Sequence, residues 1–318
     1  MPETAQDLHA ERKLSGCLHE GNGGKDSLKM AVFWGCCILT SQYAYEMSLR
    51  QVLPKFDIEL VDLPEAICCG DPIKSINDFS ANYLAARALS LANLTGLENL
   101  LVPCNRCHFT ISEAKKTIHN NTKMGQKIVG LLNEEGLEYS ANTKMWHTID
   151  LLHDYVGLKR IKKAVIKPLE GLKVASHVGC QIIRYTDLGR VDDAEAPKKL
   201  DELINALGAE AVDYPEKLDC CGAALTRSHP DSALSLAGSK LKAVQSLPAD
   251  GMVVSCPECQ LMFDAKQKEA GTTVGAKLNV PVVYYTQLLG LALGIDEKKL
   301  GLELNQSPVD QLQAKICI

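Results

Sequence analysis

The sequence predicts an α/β protein built from two pseudo-symmetric repeats, each a mostly parallel sheet with covering helices. Three observations lead to this fold class. A Cys-Cys-Gly motif followed, after 33 intervening residues, by a Cys-x-x-Cys motif occurs twice, over 68–107 and over 220–259. In both halves short apolar runs alternate with segments of helical composition, which is typical of a parallel sheet with helices on its faces. The length of 318 residues suits about two domains.

The first repeat is predicted to contain four strands separated by helices. An apolar run begins at Met30 and ends in Gly-Cys36, and we interpret it as a strand that enters a loop. The other predicted strands are 56–62, 99–103, which delivers the first Cys-x-x-Cys motif, and 145–147. Helices are predicted over 78–93, which is rich in Ala, Leu and Ser, over 119–132 and over 148–158.

The second repeat is predicted to follow the same order. An apolar run begins at Leu172 and ends in Gly-Cys180, again as a strand that enters a loop. Further strands are predicted at 209–214 and 252–255, a helix at 230–245, and a closing segment at 282–295. Each Cys-x-x-Cys motif lies where a strand ends and a helix begins, and backbone N–H groups at such a place favour an anionic cluster.

The repeats divide the chain into five predicted segments. The linker is placed at a stretch with four lysines and Pro168, which we interpret as a solvated face rather than a docking site. The segments are a flexible leader 1–29, a first repeat 30–158, a linker 159–171, a second repeat 172–296 and a C-terminal tail 297–318.

Charge and hydropathy exclude several classes of protein. The chain carries 34 basic and 39 acidic residues, with a net charge of −5, so a general nucleic-acid binder is not expected. The longest apolar stretch, 281–295, is too short and too interrupted by polar residues for a bilayer that needs about 20 residues. The first 29 residues hold no apolar run typical of a secretory signal. We therefore expect a cytoplasmic protein without a membrane span.

The 13 cysteines carry the functional signal, because in a reducing compartment so many thiols indicate metal ligation or redox catalysis. A lone cysteine, Cys36 or Cys180, precedes each Cys-Cys-Gly motif, which gives two sets of five. Thiolates select zinc, copper(I) or iron–sulfur clusters. A structural zinc and an ordinary four-iron cubane take four ligands each, so a fifth thiolate is surplus for either. Two structural zinc sites and thioredoxin-type Cys-x-x-Cys chemistry are the alternative interpretations.

The adjacent cysteines distinguish these possibilities further. Neighbouring side chains in an extended strand point to opposite faces, so both can meet one group only if the chain turns sharply after them. Gly70 and Gly222 permit the positive φ that such a turn requires. Adjacent thiolates suit a polynuclear centre in which they reach, or bridge, different irons.

This pattern resembles that of the cysteine-rich CCG domain proteins, and within them that of the B subunit of heterodisulfide reductase. The resemblance extends from about Met30 to Ile295. It implies that each repeat holds a noncubane [4Fe-4S] cluster ligated by five cysteines. The implied first set is Cys36, Cys68, Cys69, Cys104 and Cys107, and the implied second set is Cys180, Cys220, Cys221, Cys256 and Cys259.

The resemblance also implies a reaction and partners. In that family the two clusters face each other across a cavity between the repeats and cleave a disulfide, each supplying one electron and capturing one sulfur. The ferredoxin-like C subunit of heterodisulfide reductase, with cubane clusters, supplies the electrons, and its flavin-containing A subunit bifurcates them. The chain is therefore expected to be the disulfide-reducing subunit of a soluble complex, with the coenzyme M–coenzyme B heterodisulfide of methanogenesis as first substrate candidate.

Two alternative functions stay open at this point. One is a related subunit that acts on another disulfide or a persulfide in sulfur metabolism. The other is a non-catalytic subunit whose clusters only relay electrons. The sequence departs from the methanogen pattern at three places: Cys37 is an extra thiol, Gln181 replaces a frequent His, and 41–44 replace a basic-aromatic-Pro segment.

Three residues beside the cysteines are candidate catalytic residues. His177 precedes Gly-Cys180, where it is expected to hydrogen-bond a cluster sulfur or to protonate a departing thiolate. Arg106 lies inside the first Cys-x-x-Cys motif and Arg184 follows Cys180, and either is expected to pair with an anionic substrate group. A structural histidine and solvated arginines are the alternatives.

The remaining thiols and histidines have weaker claims. Cys17, in the polar leader, and Cys317, the penultimate residue, are interpreted as incidental thiols. Cys37 is interpreted as a packed or supporting thiol rather than a sixth ligand. His108 and His153 are weaker candidates than His177.

Overall fold

The computed structural model describes residues 27–66, 68–185, 188 and 191–316. Most of the predicted leader, together with Cys17 and Cys317, lies outside these residues. Within them the chain forms two four-stranded sheets in which every strand pair is parallel. The predicted fold class of two similar α/β repeats is confirmed. None of the helices in these ranges combines the length and the apolar character needed to span a membrane.

The first sheet has the order β2-β1-β3-β4. In register, Leu28 pairs with Ile58, and Leu101 pairs with Trp146. The three residues at the carboxyl end of β1 are buried because the sheet is covered on both faces. The strands are Leu28–Val32 (β1), Ile58–Asp62 (β2), Asn99–Leu101 (β3) and Lys144–Trp146 (β4).

The second sheet repeats this topology in the order β6-β5-β7-β8. Its central strand β7 is buried at all four positions, as expected of a strand with neighbours on both sides and helices on both faces. The strands are Lys173–His177 (β5), Glu210–Val212 (β6), Gly251–Val254 (β7) and Val282–Tyr284 (β8).

Helices cover both sheets and begin at the residues that favour helix starts. The Asn77 side chain accepts a hydrogen bond from the Ser80 N–H ahead of α3, and Pro230 is the first residue of α9. In the first half the helices are Gly35–Ser41 (α1), Tyr43–Val52 (α2), Asp78–Leu94 (α3), Asn105–His119 (α4), Lys123–Glu134 (α5), Thr148–Asp150 (α6) and Leu158–Ala164 (α7). In the second they are Lys199–Ala206 (α8), Pro230–Gln245 (α9), Pro257–Gln260 (α10), Gln267–Thr273 (α11), Tyr285–Ala292 (α12) and Asp310–Ile316 (α13).

Two local predictions are wrong, and a third is confirmed as a helix but not as a regular α-helix. His119 ends α4 instead of beginning the next helix, because Asn121 turns with φ of 50° and Thr122 caps α5 by accepting from the Gly125 N–H. The helix predicted over 148–158 becomes π-helical over Leu151–Gly157 and continues as α7. Cys36 lies in the first turn of α1, not in a loop.

Side chains of the two halves interlock between the sheets. The rings of Tyr45 and Tyr284 are stacked with centroids 4.3 Å apart, and both are fully buried. The Tyr45 hydroxyl lies 3.0 Å from the Ser255 carbonyl oxygen, and the hydroxyls of Ser48 and Thr286 are 2.6 Å apart. These buried contacts hold the carboxyl ends of the two sheets against each other.

Candidate metal centre

Both cysteine sets lie at the carboxyl ends of parallel strands. Cys36 follows β1, the vicinal pair at 68–69 follows β2, and Cys104 follows β3. In the second half the lone Cys180, the vicinal pair at 220–221 and Cys256 follow β5, β6 and β7 in the same way. The carboxyl edge of a parallel sheet is where open α/β folds bind ligands, and the topology brings five thiols to this edge of each sheet.

The two Cys-Cys-Gly turns have the predicted backbone geometry. Gly70 and Gly222 have φ of 88° and 83°, in the region that favours glycine. A Cβ on Gly70 would lie 2.6 Å from the Ala81 carbonyl oxygen, and one on Gly222 would meet the Ala233 carbonyl oxygen. The N–H of each glycine points to the first sulfur of its own motif, at 3.4 Å from Cys68 Sγ and 3.3 Å from Cys220 Sγ. The turn therefore presents both thiols and a backbone donor to the same space.

The ten sulfurs form one continuous row. Cys36 Sγ and Cys68 Sγ are 3.9 Å apart, and Cys221 Sγ and Cys259 Sγ are 3.4 Å apart. Cys104 contacts Cys256 across the interface between the repeats. In order of contact the row is Cys36, Cys68, Cys69, Cys107, Cys104, Cys256, Cys259, Cys221, Cys220 and Cys180. Counted from its two ends, the row places equivalent cysteines of the two repeats at equivalent positions.

Burial changes along this row. The six central cysteines are buried, with Cys104 2% and Cys256 3% exposed, whereas the lone cysteine and the first vicinal cysteine of each repeat are half-buried. The two sets therefore meet in the interior and open toward solvent at their outer ends.

Proton sharing between these thiols perturbs their pKa values. The hydrogen-bonding contact with Cys36 lowers the pKa of Cys68 to about 2, and the contact with Cys180 does the same to Cys220. The same contacts, followed by burial, raise the pKa of Cys36 and Cys180. Thiols packed this closely ionise together only when a cation lies among them. The five soft donors of each set fit a polynuclear iron–sulfur group, and they exceed the four ligands of a tetrahedral zinc.

The second set borders a cavity to which the first repeat contributes. The side chain amide of Asn105 donates from Nδ2 to the Val178 carbonyl oxygen at 2.8 Å, whereas its Oδ1 is buried without a hydrogen-bond partner. Arg106 also lines this cavity. The second-repeat lining is Gly179, Cys180, Gln181, Cys220, Cys221, Ala223, Ala224, Cys256, Glu258 and Cys259.

His177 lies directly against the second set. Its Nε2 is 3.2 Å from Cys259 Sγ, and its Nδ1 is 2.8 Å from the ammonium of Lys240. His177, Cys221 and Cys259 each offer one donor atom. These three atoms lie within 4.8 Å of one another, an arrangement that suits metal binding. Burial, and then the charge of Lys240, lower the pKa of His177 well below its usual range, so its imidazole is neutral.

Arg106 joins the two Cys-x-x-Cys motifs. Its guanidinium lies 3.0 Å from the Asp71 carboxylate and 3.6 Å from the Glu258 carboxylate. Glu258 holds the position in the second motif that Arg106 holds in the first. The charge of Arg106 is thus already shared between two protein carboxylates.

The other singled-out residues are spread around the centre. Arg184 is exposed and donates to the Leu218 carbonyl oxygen at 2.6 Å. Cys37 is close enough to Glu258 and Cys256 for their charges, after burial, to raise its pKa to about 12. His108 is buried edge-on to His147, and His153 lies between the Asp154 and Glu202 carboxylates at 2.6 and 2.7 Å.

Sequence reasoning missed Lys240, Asn105 and Glu258. Motif spacing marks only the cysteines, whereas these three act through contacts between separate elements. Lys240 carries a signal in the sequence nonetheless, since a lysine replaces the alanine found at the matching position of the first repeat.

Comparison with known proteins places the chain among cysteine-rich redox subunits. Residues 30–112 and 174–264 match the cysteine-rich domain family CCG. The chain is 34% identical over 292 residues to the B subunit of the ferredoxin/F(420)H(2)-dependent CoB-CoM heterodisulfide reductase of Methanosarcina acetivorans, covering 91% of this chain and 97% of that protein. It is 30% identical over 279 residues to the 8-methylmenaquinol:fumarate reductase membrane anchor subunit of Wolinella succinogenes, covering 87% of this chain and 96% of that protein.

One solved structure has the same fold. A hypothetical protein from Helicobacter pylori superposes with a TM-score of 0.70 at 17% identity. The alignment covers 89% of this chain and 53% of that one, so this chain spans about half the length of that protein. At this identity the likeness concerns the fold alone.

Proposed function

This chain belongs to the cysteine-rich CCG domain family and, within it, to the B subunits of heterodisulfide reductases, and from that premise we propose that it reduces a disulfide to two thiols. The family expected from the cysteine spacing is confirmed, and its relatives imply iron–sulfur clusters. The observation that carries the proposal is the continuous row of ten thiols, in which two complete sets of five meet at Cys104 and Cys256.

The residues that would hold the clusters are the two sets of five. The first is Cys36, Cys68, Cys69, Cys104 and Cys107, and the second is Cys180, Cys220, Cys221, Cys256 and Cys259. When bound, two noncubane [4Fe-4S] clusters would supply one electron each to the two sulfurs of the disulfide. Reduction of RSSR′ takes up two electrons and two protons and releases RSH and R′SH. Complete ligand sets in both repeats support a reaction that uses two sites.

Access to the sulfurs is proposed through the cavity beside the second set, which residues of both repeats line. The half-buried Cys180 and Cys220 line this cavity together with the buried Cys221, Cys256 and Cys259. Asn105 lines the same cavity and its buried Oδ1 has no hydrogen-bond partner, so we propose it as the acceptor for a product thiol or a substrate amide.

Of the three candidate catalytic residues, His177 has the contact best suited to a role at the centre. Its Nε2 faces Cys259 Sγ at 3.2 Å, which favours hydrogen bonding to a ligand sulfur over protonation of a departing thiolate. Arg106 is paired with Asp71 and Glu258, so we assign it to holding the two motifs together. Arg184 is exposed beside a cavity lined by Phe109 and Tyr185, and we propose it as the contact for an anionic substrate group.

The first substrate candidate is the coenzyme M–coenzyme B heterodisulfide. It is supported by the similarity to the B subunit of the Methanosarcina CoB-CoM heterodisulfide reductase, which extends over nearly the whole of both chains. The proposed partners are a ferredoxin-like protein of the C-subunit type that supplies electrons and a flavin-containing protein of the A-subunit type, in the cytoplasm. Related disulfides or persulfides are the substrates to test beside it.

A second candidate function is an electron relay without disulfide chemistry. The similarity to a membrane anchor subunit of a fumarate reductase supports it, since that relative is named for a complex with a different substrate. The contact between Cys104 and Cys256 suits electron transfer between the sets as well as joint action on one bond.

The experiment that separates these functions uses anaerobically purified protein and a reduced one-electron dye. About eight irons and eight acid-labile sulfides per chain are expected, as for two four-iron clusters. Dye oxidation in the presence of a disulfide panel should release two thiols for every two electrons. Stoichiometric zinc without iron would contradict the cluster assignment. Intact clusters that accept dye electrons but yield no thiol from any disulfide would favour the relay.

A further inference from the structure

A buried lysine in the second repeat has no part in the function described so far. Lys240 lies on α9 and is 1% exposed. Its ammonium contacts the Nδ1 of His177 at 2.8 Å and the carbonyl oxygens of Lys217 and Asp219 at 2.8 and 3.1 Å. An ammonium has three N–H donors, so these three acceptors use all of them. In the part of the chain that the structure describes, no carboxylate forms an ion pair with Lys240.

The contact to Lys240 selects the tautomer of His177. An ammonium only donates, so Nδ1 accepts and the single N–H of the neutral imidazole is at Nε2. Nε2 lies 3.2 Å from Cys259 Sγ, so this N–H points at that sulfur. Phe263 packs edge-on against the imidazole with ring centroids 5.0 Å apart and holds the ring in this orientation.

The first repeat lacks both members of this pair. Counted from the Gly-Cys at the end of the first strand, the position of His177 is held by Phe33 in the first repeat. Counted from the Cys-Cys-Gly motif, the position of Lys240 is held by Ala88. Phe33 and Ala88 are buried and apolar, so neither donates a hydrogen bond to Cys107, the counterpart of Cys259.

We propose that Lys240 is a positioning residue that holds the His177 Nε2–H on Cys259. It thereby makes the cluster bound by the second cysteine set easier to reduce than the cluster bound by the first. A hydrogen bond to a ligand sulfur stabilises the more negative, reduced state of a bound cluster. Electrons therefore reduce the cluster of the second set before the cluster of the first set. The inference rests on the proposed function only in that both sets hold an iron–sulfur group.

The test is a dye-mediated redox titration of the full-length holoprotein, followed by electron paramagnetic resonance without any disulfide. Four proteins are compared: the wild type, Lys240→Met, His177→Phe and the double variant. Lys240→Met keeps the length of the side chain and removes its donors, and His177→Phe gives the second repeat the residue of the first. The cluster of the first repeat serves as the internal control in each sample.

In Lys240→Met, one of the two cluster signals should show about a tenfold lower ratio of reduced to oxidised cluster at a fixed potential, which for a one-electron couple is about 59 mV. The other signal should stay where it is in the wild type. His177→Phe should shift the same signal at least as far, and the double variant should match His177→Phe, because Lys240 acts through His177. Lys240→Gln, whose amide also donates to Nδ1, should recover most of the wild-type potential.

Three results would overturn the inference: both signals shift together, neither shifts, or the effects of Lys240→Met and His177→Phe add in full. If Lys240→Met fails to load iron, the His177→Phe variant alone tests the inference. Unchanged reduction potentials in His177→Phe would refute it, because Lys240 is proposed to act through His177. No disulfide enters this titration. A protein that shows the single-signal shift but reduces no disulfide would refute the proposed function and leave this inference standing.

Discussion

The two repeats share the positions of their cysteines but differ in the residues that surround them. Both present a Cys-Cys-Gly turn with positive φ and a Cys-x-x-Cys motif at the start of a helix. Around the first set the equivalent positions hold Phe33 and Ala88, and around the second they hold His177 and Lys240. The cysteines thus hold matching positions in the two repeats, while the residues behind them differ.

This divergence indicates that the two sites are not interchangeable. A symmetric pair of sites would treat both sulfurs of a disulfide alike, whereas a mixed disulfide has two different halves. A hydrogen-bonded second site and an apolar first site give the two halves different environments. The predictions below test which features of the repeats are equivalent and which are not, from the largest expected effect to the smallest.

The ligand sets should respond equally to loss of one cysteine. Cys69→Ala and Cys221→Ala should each lower disulfide reduction at least about 100-fold, because removing a ligand costs no less than the 10–100-fold typical of its supporting contacts. Iron content and dye-driven thiol release are the measurements. Cys37→Ala is the matched control and should keep its iron and most of the activity. Full activity in a protein with one intact set would contradict two-site cleavage.

The two Cys-Cys-Gly turns should also be equivalent. Gly70→Ala and Gly222→Ala should each lower the free energy of unfolding by roughly 2–4 kcal/mol, from the positive φ and from contact of the new Cβ with a backbone oxygen. Anaerobic urea unfolding gives this quantity. Gly136→Ala, with φ of 75° and no heavy atom near its Cβ, isolates the backbone contribution and should lose only about 1 kcal/mol. Equal losses at all three positions would show that the close contact plays no part.

Much of this fold can be predicted from the sequence, because its strands and helices repeat with a fixed spacing. The helix predicted over 230–245 begins and ends as observed, since Pro230 marks its start. The boundary at Thr122 was missed, because its capping bond to Gly125 gives no periodic signal. The π-helical segment Leu151–Gly157 leaves no mark in apolar periodicity either.

The candidate site likewise has features that the sequence predicts and features that only the packed structure shows. The spacing of the cysteines predicts which thiols belong together, since strand ends and turns are local features. Lys240 and Asn105 act on atoms of distant segments, on His177 and on the Val178 carbonyl oxygen, and only the packed structure brings these together. Arg106 was singled out by its place in the motif, but its carboxylate partner Glu258 comes from the other repeat.

Acid should destabilise the first repeat through His147, which follows β4 where Tyr285 follows β8. Burial lowers the pKa of His147 to about 3. Its Nε2 contacts the Pro103 carbonyl oxygen and its Nδ1 accepts from the Ile149 N–H. Below about pH 6.5 His147 is protonated in the unfolded chain but stays neutral in the folded chain, so the free energy of unfolding falls as the pH falls.

Between pH 7 and pH 5 His147 should lower the free energy of unfolding by about 2 kcal/mol. This decrease should be missing from His147→Gln, and unfolding free energies of the two proteins at both pH values measure the difference. An equal pH dependence in wild type and variant would show that His147 is not the source of acid sensitivity.

The ion pairs between the motifs should give the smallest effect. Arg106→Gln leaves the Asp71 and Glu258 carboxylates without their partner and should lower the free energy of unfolding by about 1–2 kcal/mol, since the three side chains are partly exposed. Glu258→Gln should cost less, because Arg106 keeps Asp71. A double-mutant cycle of Arg106 and Glu258 measures their coupling. A larger loss in Glu258→Gln than in Arg106→Gln would contradict this assignment.

The most direct test of disulfide reduction at two joined sites is a single turnover. Protein reduced at both sets, freed of excess reductant, is mixed with one equivalent of the coenzyme M–coenzyme B heterodisulfide, and free thiols and cluster signals are followed together by rapid freezing. The account predicts that each reduced chain releases one molecule of each thiol while both cluster signals disappear. A chain that keeps both signals and releases no thiol, yet passes its electrons to an oxidised dye, would contradict it.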